Sequence, residues 1–74
     1  MKRNARDLLA AVALAKQVEQ AVAVAAEHPH LYRHGRIPGT RELVAHPNYI
    51  VVYRAGARLE VLSVLHSRQQ YPAA

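Results

Sequence analysis

Gly35-Arg36-Ile37-Pro38-Gly39-Thr40-Arg41-Glu42 runs directly into Leu43-Val44-Ala45-His46-Pro47-Asn48-Tyr49-Ile50-Val51-Val52-Tyr53-Arg54. Gly35, Pro38 and Gly39 break any regular element and mark a loop. Arg41 to about Ala45 then reads as a strand, and His46-Pro47-Asn48 as a turn, because proline presets one turn angle and asparagine tolerates left-handed backbone. Tyr49 to Arg54 is β-branched and aromatic, the composition of a second strand. Ala55-Gly56-Ala57 is a tight connection into a third strand, Arg58 to His66. Short links between consecutive strands favour an antiparallel meander.

The third strand does not alternate cleanly. Strict alternation puts Leu59, Val61 and Leu65 on one face and Leu62 and Val64 on the other, beside Glu60 and His66. Both sheet faces are therefore partly apolar. One packs on a helix; the other is covered by the C-terminal tail (residues 67–74) or by a partner.

Upstream, about Asn4 to His28 reads as one long helix of Ala, Leu, Lys, Gln and Glu. Leu8, Val12, Ala15, Val18, Val22 and Ala25 step by three or four and form its apolar stripe. Asn4 is placed to cap it, with Asp7 three residues on, and Pro29 ends it. Small residues let such a helix sit close to a sheet but bury little area each. The expected fold is α+β: one domain over residues 1–74, with a helix (about 4–28) on a three-stranded antiparallel meander (about 41–66).

At 74 residues the chain is at most one domain, and it has no cysteine to form a disulfide or a thiolate zinc site. Ten Lys and Arg against five Asp and Glu give +5, which favours an acidic or polyanionic partner. The basic start Met1-Lys2-Arg3 precedes an apolar stretch, but Asp7, Lys16 and Glu19 interrupt it. It reads as neither a signal peptide nor a membrane span, and the chain is expected to be cytoplasmic.

Arg36, Arg41, Arg54, Arg58 and Arg68 come from segments that a meander would bring together, and arginine forks suit phosphate or carboxylate oxygens. Tyr49, Tyr53 and Tyr71 could stack on bases. The plainer reading pairs Arg41 and Arg58 with Glu42 and Glu60. Cleavage of RNA by its own 2′-hydroxyl needs a base, an acid and cations for the phosphate. His66 with Arg54 and Arg68 could supply part of that set, but no second acid or base stands out. His28, His30 and His34 flank or follow Pro29 and read as a surface loop rather than a metal site. No metal or cofactor is expected.

The block above, together with Val64-Leu65-His66-Ser67-Arg68-Gln69-Gln70-Tyr71-Pro72, resembles the RelE/ParE family of bacterial toxins, the toxin halves of type II toxin–antitoxin (plasmid stabilisation) modules. The likeness covers about Glu19 to Pro72, and Glu27-His28-Pro29 fits the end of the family's second helix. It implies growth inhibition and neutralisation by a cognate antitoxin that wraps sheet and helices. RelE-like members cut mRNA on the ribosome; ParE-like members inhibit DNA gyrase. In the ribonuclease branch Arg54 would stabilise phosphate, with His66, Arg68 and Tyr71 as the nearest matches to the active C-terminal strand. The lysine pair used by some ribonucleases is absent, because Lys2 and Lys16 are the only lysines. Gln69-Gln70-Tyr71-Pro72 looks ParE-like, so the expectation leans to gyrase inhibition without hydrolysis. The family's usual first strand and first helix have no counterpart before Asn4. That departure is expected to reflect a late start site, a decayed toxin that only binds antitoxin, or a short form whose open sheet edge a second copy or an added strand fills.

Overall fold

The computed structural model of the chain describes residues 5–72. Its elements are α1 (Ala5–Glu27), β1 (Arg33–His34), β2 (Arg41–His46), β3 (Tyr49–Ala55) and β4 (Leu59–His66). The strands form one antiparallel sheet in the order β1-β2-β3-β4. Helix and meander match the expectation, with one strand more than expected; the capping role of Asn4 lies outside the described residues.

The extra strand comes from the stretch read as pure loop. Arg33 and His34 pair with Glu42 and Arg41. The loop between closes on itself: the Gly35 amide donates to the Thr40 carbonyl at 2.7 Å, and the Thr40 amide to the Ile37 carbonyl at 3.2 Å. Pro38 and Gly39 fill the two central positions of that Ile37–Thr40 turn, and Gly39 has φ +84°. Proline followed by a left-handed glycine is the chemistry of a type II turn. Gly35 is required for space instead: a Cβ there would run into the Thr40 side chain.

The register corrects the faces expected for β4. Val52 pairs with Ser63, but Tyr53 pairs with Val61, so Leu62 is an extra residue at a bulge. The bulge flips everything after it. Leu59, Val61, Val64 and His66 share one face with Tyr49, Val51 and Tyr53, while Glu60, Ser63 and Leu65 share the other with Ile50, Val52 and Arg54. A bulge leaves the two-residue period unreadable across it, and no glycine marks this one.

α1 packs against β2. The core on that face is Ala25, Leu43, Val51 and Tyr53, with Val18, Ala21, Val22, Tyr32, Ala45, Ala55 and Leu59 packed around it. Only the second half of the helix contributes. Leu8 and Val12, expected in the same stripe, are exposed. The expected stripe averages fewer than 3.6 residues per turn, so from Leu8 to Ala25 it drifts by roughly 100° around the helix and leaves the sheet behind.

By length and composition alone α1 is long and apolar enough to cross a bilayer, a criterion that core helices of soluble proteins meet as well.

Candidate functional site

The two sheet faces use polar groups differently. On the helix face, the buried Tyr53 hydroxyl donates to the Pro29 carbonyl at 2.8 Å, and its ring meets Tyr32 edge-on at 6.4 Å. Arg41 pairs with Tyr53 across the strands and donates to the Tyr32 and His30 carbonyls at 2.6 and 3.5 Å. Together Tyr53 and Arg41 tie down the segment that follows α1, whose terminal carbonyls lack intrahelical partners. Burial pushes the Tyr53 hydroxyl above its ordinary value of 10.0, with Tyr32 adding to the rise and Arg41 opposing it. Arg41 also borders a cleft of about 210 Å³ with His30, His34, Gly39, Thr40 and Ala55.

On the opposite face Glu42 is buried. Its Oε1 lies 3.2 Å from Arg33 Nη2 and 3.5 Å from Arg36 Nε, and its Oε2 accepts the Arg36 amide at 2.9 Å. Arg36 then reaches the C-terminal segment, donating to the Tyr71 carbonyl at 3.2 Å with its guanidinium 6.0 Å from the Tyr71 ring centre. The tail is thereby tied to the face that carries Ile50, Val52 and Leu65, all buried. The expected pairing of Arg41 with Glu42 is replaced, because neighbours in a strand point to opposite faces. Glu60 pairs with Arg54 at 3.7 Å rather than with Arg58, both partners being exposed.

At one end of the sheet three rings form a row. The His46 and Tyr49 centres are 5.7 Å apart, and those of Tyr49 and His66 5.4 Å. His46 Nδ1 accepts the Asn48 amide at 3.0 Å and His66 Nδ1 accepts the Arg68 amide at 3.1 Å. Each bond leaves the Nδ1 lone pair engaged and Nε2 as the free ring nitrogen. The row was not read from sequence: the His46-Pro47-Asn48-Tyr49 turn sets His46 beside Tyr49, but His66 comes opposite Tyr49 only through the bulge at Leu62.

The candidate catalytic residues are not gathered. His66 and Arg68 lie at the ring-row end. Arg54 is on the other face, five residues along β3 from Tyr49, which is about 17 Å of strand. Tyr71 is held by Arg36 on that same opposite face. Of the five candidate binding arginines, Arg36 and Arg41 are engaged internally, Arg54 is half-engaged with Glu60, and Arg58 and Arg68 are exposed without an acidic partner among the described residues. Among the described residues no three His, Cys, Asp or Glu side chains come together to hold a metal ion.

A helix laid on an antiparallel meander, in a chain of net positive charge, defines a small basic α+β protein. Comparison with known proteins places it. Residues 2–71 match the family described as ParE toxin of type II toxin-antitoxin system, parDE. The chain is also 44% identical over 64 residues to "Putative toxin Y4kP" of Sinorhizobium fredii, an alignment covering 85% of this chain and 67% of that protein. The chain belongs to the ParE toxin family.

Proposed function

We propose that the chain is the toxin of a type II module that acts in the cytoplasm by binding DNA gyrase, without hydrolysing a substrate, and that a cognate antitoxin neutralises it. The observation that carries this reading is the separation of Arg54 and Tyr71 from His66 and Arg68. General acid–base cleavage needs its groups within hydrogen-bond reach of one substrate atom set, and these lie on two faces. Binding has no such demand. Exposed Arg58 and Arg68, with the loosely paired Arg54, present forked donors at both ends of the sheet. Such donors suit carboxylates on an acidic protein surface.

The test is expression in a sensitive bacterial host with and without the antitoxin encoded beside it, followed by a supercoiling assay with purified chain and gyrase. Growth arrest relieved by the antitoxin, together with lost supercoiling, is expected. Unchanged supercoiling at large molar excess of the chain would remove the gyrase assignment. Growth unaffected in both cases, with a complex still formed with the antitoxin, would leave a chain that binds antitoxin and poisons nothing.

A further inference from the structure

Arg41 and Glu42 are neighbours in β2, and their side chains go to opposite faces of the sheet. On one face Glu42 supplies the carboxylate that Arg33 and Arg36 share. On the other, Arg41 has no carboxylate partner among the described residues; Glu60, the other acid of the sheet, pairs with Arg54. Arg41 Nη1 is engaged by the main-chain carbonyls of Tyr32 and His30. Those bonds fix the plane of the guanidinium but bring no counter-ion to it. Its Nε and Nη2 have no protein acceptor among the described residues.

The groups around it are donors as well. His34 on β1 is the direct cross-strand partner of Arg41, which sets their Cβ atoms about 5 Å apart on one face. His30 is joined to Arg41 through its carbonyl. Neither imidazole has a hydrogen-bond or ring partner among the described residues, and an imidazole always offers at least one N–H. All three residues border the cleft of about 210 Å³, whose other walls are Gly39, Thr40 and Ala55. No carboxylate lines it. Thr40 is buried, and its hydroxyl and amide both donate to the Ile37 carbonyl, so this wall is set before any ligand arrives. A Cβ built at Gly39 would meet nothing within 4 Å, so main chain stands open there.

Size and donor geometry select the ligand. Sites for whole small molecules run to about 300–1,000 Å³, so this cleft suits one charged group. A carboxylate offers two oxygens in one plane, and a single arginine fork satisfies both. Here donors arrive from three segments: the loop after α1, β1 and β2. A phosphate has oxygens enough, in a tetrahedral array, to meet all of them. We propose that this cleft binds a phosphate group, held by Arg41 together with the rings of His30 and His34. Arg41 is half-buried, which shields its bonds from water and strengthens them. The site is separate from the exposed arginines offered to gyrase, and it stands or falls apart from that reading.

Amide NMR titration of the isotope-labelled 74-residue chain with sodium phosphate tests it. Sodium chloride at matched ionic strength is the reference, and acetate is the carboxylate probe. Saturable shifts at His30, His34, Thr40 and Arg41 are expected with phosphate, with a phosphate-dependent rise in melting temperature by linkage. His34→Ala should weaken binding by about tenfold, as loss of one hydrogen bond to a charged group does. The His34 ring holds nothing else in place among the described residues, so the fold survives its removal. Arg41→Lys keeps the charge but loses the fork and should weaken binding further. Lys16→Gln, which removes a charge from α1 instead, should leave binding intact. Adenosine 5′-monophosphate separates the sources: binding tighter than that of phosphate assigns the cleft to a nucleotide's phosphate, and equal or weaker binding assigns it to free phosphate. Acetate binding as tightly as phosphate overturns the proposal. So do shifts that follow ionic strength without saturating, and so does wild-type phosphate binding in His34→Ala.

Discussion

The helix-bearing face of the sheet is held by carbon, with one tyrosine hydroxyl satisfied inside it: Tyr53, Val51 and Leu43 lie against Ala25, and Tyr53 reaches across to Pro29. The opposite face is held by a buried carboxylate. Glu42 collects two guanidinium groups and an amide, and one of those guanidiniums, Arg36, fastens the tail. A small domain without disulfides has little core to draw on. Here the second face compensates with polar contacts that cross from loop to strand to tail. The difference also sorts the arginines. Those near Glu42 or beneath the post-helix loop are structural, and the ones beyond reach of both remain for a partner.

Mutations that strip each face in turn sharpen that contrast. Tyr53→Ala removes the largest fully buried side chain and should destabilise the domain by about 3–5 kcal/mol in a urea melt; a loss below about 1 kcal/mol would mean the helix face is not the main core. Glu42→Gln keeps the shape of the side chain but removes the charge from two ion pairs. A loss of about 1–3 kcal/mol is expected, with greater exposure of Tyr71 to solvent by fluorescence quenching. Equal stability would show that the charged cluster is dispensable.

Alkaline titration separates the faces by a different probe. Burial raises the folded-state value of Tyr53 above 10.0, so the unfolded chain releases that proton first. Its contribution is fully present below pH 10 and declines as pH rises from there toward the folded value. Tyr53→Phe should flatten that alkaline slope while losing the bond to Pro29, and an unchanged slope would place its origin in the other tyrosines. Arg54→Ala should shift stability least, within about 0.5 kcal/mol, because its pair with Glu60 is exposed. The same substitution should weaken gyrase inhibition, which distinguishes a partner-facing arginine from a structural one.

Much of this fold was readable from residue order. The Ala-rich stretch up to Pro29, the His46-Pro47-Asn48 turn and the β-branched run after it all carry local signals that agree with the tertiary structure. The features that were not readable are non-local. β1 is two residues long and is seen only through its pairing with β2, where the Gly35–Thr40 hydrogen bond and the Glu42 contacts to Arg33 and Arg36 accompany it. The bulge at Leu62 appears only when β3 and β4 are paired. Candidate site residues were individually visible, because arginine, histidine and tyrosine are conspicuous, but their grouping depended on which face each one took. A one-residue slip in β4 moves His66 from beside Glu60 to beside Tyr49, and with it the case for a catalytic set.

Binding rather than cleavage is tested most directly by giving one preparation of the chain both targets in parallel: gyrase with relaxed plasmid, and translating ribosomes with labelled mRNA. Inhibited supercoiling with intact mRNA is the predicted result, unchanged in His66→Ala and reduced in Arg58→Ala. Ribosome-dependent cleavage of the mRNA, lost in His66→Ala, would contradict it.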